Sequence, residues 1–269
     1  MNAAEAYKLP APKGYQCAAA CGHSIHVHRE AGCDVEGCDC PAPHGRILPS
    51  TLLRVPPHGF FGLHPSLLPK YRGSSPVASA ILHGDTETGV TIFRLNERMD
   101  AGEIAAQERL VIGSEETTAT LTPKLATLGA KLLCRVVEQL ADGSLRCSPQ
   151  DERAASVTSK FGKTDGRIDW TQPAVALDRR VHALQPWPGT WTMWQDAVLK
   201  ILMTRPVDRA ADGSPPGQVL DVGAQGIVVA TGQGALRIEE LQAAGGTRLS
   251  AREFLAGHHL RVGERFGDA

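Results

Sequence analysis

The chain has 269 residues, 42% hydrophobic and 21% charged, enough apolar content to bury a core in one large domain or two modest ones. Its formal net charge of −1 excludes a global field that would draw nucleic acid or an anionic membrane, so such a contact must come from a local patch. No apolar run is long enough to cross a bilayer, and the opening Met-Asn-Ala-Ala-Glu-Ala-Tyr-Lys lacks the charged start and apolar centre of a secretory signal. A cytoplasmic, reducing compartment without membrane contact is therefore expected, with no disulfides among the seven cysteines.

Residues 1–44 differ from the rest. They hold Cys17, Cys21, Cys33, Cys38 and Cys40 with His23, His26, His28 and His44, and almost no large aliphatics, so they cannot build a core alone. Cys33, Cys38, Cys40 and one of Cys21, His26 or His28 could hold zinc tetrahedrally, although Cys-x4-Cys-x-Cys is not a common finger spacing. Three readings stand side by side: a zinc-stabilised segment, a disordered one, or an artefact of the gene model.

From Gly45 the texture becomes that of an α/β chain. Residues 59–64 read as a short buried strand. Ser75 is placed to cap a helix that starts at Pro76 and stops near Gly84. Residues 88–95 form a β-branched strand, 96–102 a polar loop carrying Asp100, and 104–110 another strand. Leu121, Leu125, Leu128, Leu132, Val136 and Leu140 make the apolar stripe of a helix over 118–140, which also buries Cys134. A polar linker follows, bounded at 151–169 and bearing Lys160, Lys163 and Arg167 among interleaved aspartates. Residues 175–184 look helical and end at Pro186-Trp187-Pro188-Gly189. Short strands at 197–203, 217–222, 226–230 and 235–241 suggest a small β-barrel or sandwich, closed by a helix whose Ser250 and Glu253 form a capping box.

His64 ends the first strand and Asp100 lies in a loop after the second. Ligands bind at such strand ends in open α/β sheets, and a histidine held by a carboxylate suits proton transfer near neutrality. On spacing alone, a strand-end histidine and a turn aspartate without chemistry explain the pattern more readily.

The wording of the segment is more specific. His64-Pro-Ser-Leu-Leu-Pro-Lys-Tyr-Arg-Gly73, Asp85-Thr-Glu-Thr-Gly-Val-Thr-Ile92 and Met99-Asp-Ala-Gly-Glu-Ile104 resemble the folate-dependent formyltransferases. Arg167-Ile-Asp-Trp170, Gln185-Pro-Trp-Pro188 and Val229-Ala-Thr-Gly-Gln-Gly234 narrow the resemblance to the branch that formylates methionyl-tRNA. It covers residues 45–269 and implies a partial Rossmann-like α/β catalytic domain at 45–150, the linker, and a small OB-like β-barrel that binds tRNA at 170–269. The implied reaction passes a formyl group from 10-formyltetrahydrofolate to the α-amine of methionine on initiator tRNA, with a monomeric enzyme. His64 matches the family's catalytic histidine and Asp100 its catalytic aspartate. Ser66, Leu67, Leu68 and Pro69 match the folate-side wall, Asn96 to Met99 the backbone facing the pterin, and Arg46-Ile-Leu-Pro49 a further border of that pocket.

Two departures qualify the match. The family motif has asparagine two residues before the histidine, where this chain has Gly62, so an amide that donates to the developing oxyanion is missing. Loss of one such donor costs about 100- to 1,000-fold in rate. The family's opening βαβαβ half is also not legible in residues 1–44. Two alternatives follow: a formyltransferase for another amine such as an amino sugar, or an impaired relative that binds tRNA or folate. Lys160, Lys163 and Arg167 could meet phosphates, and Trp170, Trp187 and Trp191 could stack on a nucleotide or serve packing.

Overall fold

The computed structural model describes residues 28–29, 32–33, 50–210 and 213–267. The expected zinc ligands and the Arg46 to Pro49 segment lie outside what it describes of side chains. The chain divides into two compact units, residues 1–60 with 95–99, and residues 61–94 with 100–269. In the first, β1 (His28–Arg29) pairs antiparallel with β2 (Gly32–Cys33), and α1 (Ser50–Leu53) precedes a turn closed by the Gly59 amide on the Pro56 carbonyl. The Leu95 amide bonds the Phe60 carbonyl at 2.7 Å.

The second unit holds two cores. The first is built on β3 (Phe61–His64), β5 (Glu87–Arg94) and β6 (Ile104–Val111), paired in that order and antiparallel throughout. These strands form a meander rather than parallel Rossmann strands; among the described residues, a parallel strand pair joins β4 (Arg72–Gly73) to β7 (Val157–Thr158). β5 is the central strand, and Val90 and Ile92 are fully buried on it. Helix α2 (Pro76–His83) starts with proline in its first turn and stops at Gly84, whose φ of 73° suits the left-handed cap. Ser75 does not cap it by its side chain; its amide instead donates to Thr158 Oγ1 at 3.1 Å.

Helix α3 (Thr118–Ala141) begins at a reciprocal capping box between Thr117 and Thr120. It buries Leu121, Leu125, Leu132 and Val136, while Leu128 and Leu140 sit at the margin of the stripe. Gly129 lies on this face, where a Cβ would come within 2.5 Å of Leu63 Cδ1, so the helix rides close to β3. Cys134 is exposed, contrary to the buried position expected: it falls two residues past Leu132, on the opposite side of the helix.

The second core lies in the C-terminal region. Helix α4 (Ala174–Ala183) packs on a sheet of β8 (Thr190–Trp194), β9 (Ala197–Val207), β10 (Val219–Gly223), β11 (Gly226–Ala230) and β12 (Ala235–Ala243). The order is β10-β11-β12-β9-β8, with β13 (Leu249–Ser250) on β12. Among the described residues no pairing closes β8 onto β10, so the sheet is open. Helix α5 (Ala251–Gly257) carries the expected Ser250–Glu253 box and drives Phe254 into the core. Ala183 of α4 enters the first core, and the Thr118 hydroxyl bonds its carbonyl at 2.7 Å, so the two cores are joined through this helix end. Arg205 adds a bridge from β9 to Glu115 ahead of α3 and to Glu239 on β12.

Candidate active site

β3 delivers His64 at its end with the side chain turned inward. The ring is buried, 6% exposed, and meets Phe93 edge-on at 6.5 Å. After His64 the chain loops through Ser66 to Pro69, with a cis bond at Leu68-Pro69, and returns at Tyr71, where φ is 62°. That return brings the Tyr71 carbonyl within 2.8 Å of His64 Nε2. A carbonyl only accepts, so Nε2 carries the hydrogen and the other ring nitrogen, Nδ1, is the one that can take up a proton. Nδ1 faces Asp100 Oδ2 at 3.7 Å. This is too long for a direct hydrogen bond, yet close enough for the carboxylate to stabilise a protonated ring and for one polar atom to touch both.

Asp100 sits in the left-handed region, with φ of 49°, a conformation that aspartate tolerates better than most residues and that often marks functional sites. Its Oδ2 accepts the Gly73 amide at 2.7 Å. Gln150 donates to the Asp100 carbonyl at 2.8 Å and to the Gly102 carbonyl at 2.7 Å. The Gln150 oxygen in turn accepts Nε and Nη2 of the buried Arg72 at 3.1 and 2.7 Å, and the same guanidinium forks onto Glu152. Three consecutive residues therefore hold both halves of the pair: Tyr71 fixes the histidine, Gly73 the carboxylate, and Arg72, through Gln150, the aspartate backbone.

The expected folate-side residues are placed beside this pair with their polar groups already engaged. Ser66 is fully buried and its hydroxyl donates to the Lys70 carbonyl at 2.6 Å. The Thr91 hydroxyl donates to the Ser66 carbonyl and accepts the Leu68 amide, and Gln107 bonds the Leu68 carbonyl and Thr91 Oγ1. Leu68 is buried, whereas Leu67 and Pro69 are half-buried and form the accessible part of the segment. In the other unit, Asn96, Glu97 and Arg98 line a cavity of about 370 Å³ with Leu53, Arg54 and Leu95, and Asn96 Oδ1 accepts the Arg98 amide in a tight turn. Among the described residues no group of histidines, cysteines and carboxylates could hold a metal ion.

Gly62 lies within β3, opposite Phe93, and presents no side chain. Tyr71, partly desolvated and bonded to Asp85, has its phenol pushed up to about 12 and stays neutral as the anchor of the return. Of the tryptophans, Trp170 is a packing residue, stacked on Phe266 at 5.9 Å with its indole donating to Thr192; Trp187 is exposed; Trp191 is half-buried with Arg167 over its ring. Sequence reasoning missed Gln150, the Tyr71 carbonyl and the Gly73 amide. Two of these are backbone groups, and the glutamine lies 50 residues from its target, with nothing local to mark it.

Comparison with known proteins then gives a consistent picture. The family described as "Formyl transferase" matches residues 25–137, and "Formyl transferase, C-terminal domain" matches residues 160–259. A methionyl-tRNA formyltransferase of Roseiflexus sp. (strain RS-1) is 46% identical over 229 residues, covering 85% of this chain and 70% of the relative. A methionyl-tRNA formyltransferase of Burkholderia mallei (strain ATCC 23344) is 42% identical over 229 residues, with the same coverage of 85% and 70%. Among solved structures, HypX from Aquifex aeolicus in complex with tetrahydrofolic acid superposes with a TM-score of 0.56 at 21% identity, covering 72% of this chain and 34% of that one. WlaRD, a sugar 3N-formyl transferase, gives 0.55 at 18% identity, covering 66% of this chain and 64% of that one. These two likenesses concern the fold.

Proposed function

This chain belongs to the formyl transferase family, and from that membership we propose that His64 and Asp100 are its proton-handling pair. The protein transfers a formyl group from 10-formyltetrahydrofolate to the α-amine of methionine on initiator tRNA. The relatives at 42–46% identity carry that activity in their names, which favours methionyl-tRNA over an amino sugar as acceptor.

10-Formyltetrahydrofolate, consumed as a co-substrate, supplies the electrophilic formyl carbon. The apolar faces of Leu67 and Pro69 fit a flat heterocycle better than a polar donor set would, because their neighbours' hydrogen-bonding groups are already engaged. His64 Nδ1 takes the proton that the attacking amine must lose and returns it to the nitrogen that departs. Asp100 holds the ring's positive charge between those transfers. Gly62 offers no amide to the negative charge that grows on the formyl oxygen, so a backbone N–H or water must serve there.

The accompanying reading is a monomer in the cytoplasm. The catalytic domain spans 45–150, the linker 151–169 and the tRNA-binding domain 170–269, whose open sheet and closing helix are read as OB-like. Zinc is given no part.

The single observation that carries the proposal is the buried His64, with Nε2 committed to a carbonyl and Nδ1 turned to Asp100. The test is incubation of the pure protein with charged initiator tRNA and 10-formyltetrahydrofolate. Formylmethionine that disappears in His64→Ala supports it; no product above background from the unsubstituted protein overturns it.

A further inference from the structure

We propose that Gln150 is a positioning residue of this reaction, acting through Asp100; the inference rests on the reading of His64 and Asp100 just given. All four hydrogen-bonding positions of the Gln150 amide are used, and each is chemically determined. Its oxygen meets only the guanidinium of Arg72, a pure donor, and its nitrogen meets only the carbonyls of Asp100 and Gly102, pure acceptors. The side chain is 9% exposed.

The function of that arrangement follows from the backbone it holds. Asp100 occupies a left-handed conformation that still costs a non-glycine residue some free energy, so the turn benefits from being held. By taking the carbonyls of residues 100 and 102 together, Gln150 fixes the turn on both sides of Ala101. That turn sets the direction in which the Asp100 carboxylate leaves the backbone. The Gly73 amide then holds Oδ2, and the distance to His64 Nδ1 is set at 3.7 Å. Arg72 fixes Gln150, and Glu152 fixes Arg72, so the chain of bonds runs from a half-exposed carboxylate to the reacting pair. Glutamine is required in the middle because only an amide accepts from arginine on one side and donates to carbonyls on the other.

Gln150→Glu separates these roles. It preserves volume and the pairing with Arg72, and it removes both donors to the Asp100 turn. A displacement of the carboxylate on the order of 1 Å lowers kcat by about 10- to 100-fold, with KM for both substrates changed less than about twofold, because the residue touches neither. A purely structural role would not pass the second measurement, a double-mutant cycle with Asp100→Asn. If Gln150 acts through Asp100, Gln150→Glu has no further effect on kcat once the carboxylate is gone. Gln150→Asn, which keeps the amide but shortens the reach, is read in the same cycle if Gln150→Glu does not yield folded protein.

Equal fold-losses in the two backgrounds, or a rise in KM at constant kcat, overturn the positioning role and leave the His64–Asp100 reading standing. An Asp100→Asn protein as active as the unsubstituted one overturns that reading, and the positioning role with it.

Discussion

The site region and the C-terminal region are both built on apolar cores, but the site region adds a chain of buried polar groups that the C-terminal core has less of. The C-terminal core is apolar: Leu177, Val181, Ile201, Ile227, Val229, Leu236, Ile238 and Phe254 are all essentially inaccessible. Around His64 buried polar groups join the apolar Leu68 and Phe93, and Arg72, Thr91 and Gln150 are each engaged by partners distant in sequence. Apolar packing tolerates adjustment, because any residue of similar volume keeps most of the contact area. A buried polar chain does not, because each member left without its partner costs the desolvation of the other. Stability should therefore reside chiefly in the C-terminal core, and activity in the polar chain.

The largest expected effect sharpens that contrast. His64→Ala should lower kcat by about 100- to 10,000-fold, the usual contribution of a positioned acid–base group, while unfolding free energy falls by only about 1–3 kcal/mol, the cost of leaving the Tyr71 carbonyl unpaired. A comparable loss of stability would place His64 with the packing residues instead. Phe254→Ala makes the complementary change. It should cost about 3–5 kcal/mol of unfolding free energy by denaturant titration, with kcat per folded molecule unchanged. A large fall in kcat at full folding would break the separation.

Gly73 tests the site region through its backbone. Its φ is 104°, and a Cβ there would lie 2.4 Å from the Thr158 carbonyl oxygen, so Gly73→Ala must part β4 from β7 and move the amide that holds Asp100. At least a tenfold fall in kcat is expected, on the order seen for sub-ångström misplacement, and unchanged kinetics would show that the pairing is dispensable. Gly62→Asn asks whether the missing amide matters. A rise in kcat of about tenfold or more identifies the oxyanion side as the weak point, and no change assigns that task to a backbone donor.

The smallest effect concerns pH. Bonds from the Thr171 hydroxyl, the Gln172 amide and the Thr171 backbone hold the Asp169 carboxyl below its ordinary range. A depressed folded pKa contributes stability that is present above the unfolded value and lost as the pH falls through the folded one. Asp169→Asn should therefore lower neutral stability slightly, leave stability at low pH nearly unchanged, and so flatten the acid limb of the curve. The group is almost fully exposed, so solvent keeps the effect small.

The same contrast explains what could be read in advance. Apolar periodicity located α3, α4 and most C-terminal strands, because burial there follows the period of the element. It missed β8, whose inward positions include Thr190 and Thr192 rather than aliphatics. Their hydroxyls are satisfied by the Ile201 carbonyl and the Trp170 indole, so two of the three inward positions are polar and the apolar alternation is hidden. His64 and Asp100 could be singled out because they stand in recognisable strings, and the structure brings them within 3.7 Å of each other. Gln150, the Tyr71 carbonyl and the Gly73 amide were not, since their partners are chosen by tertiary geometry. Cys134 was misplaced because it lies two residues past Leu132, on the side of the helix that faces solvent.

The β4–β7 pairing also sets an order of assembly. The Tyr71 amide is held by the Ser156 hydroxyl across a separation of 85 residues, and the Ser156 amide closes back on the Pro69 carbonyl. A nascent chain that has emerged only as far as α3 already carries both His64 and Asp100, but not the strand that fixes the loop between them. The proposed His64–Asp100 pair is thus among the last features of its region to mature, since such long-range contacts close late. Translation must run past Thr158 before the observed arrangement of that pair can exist.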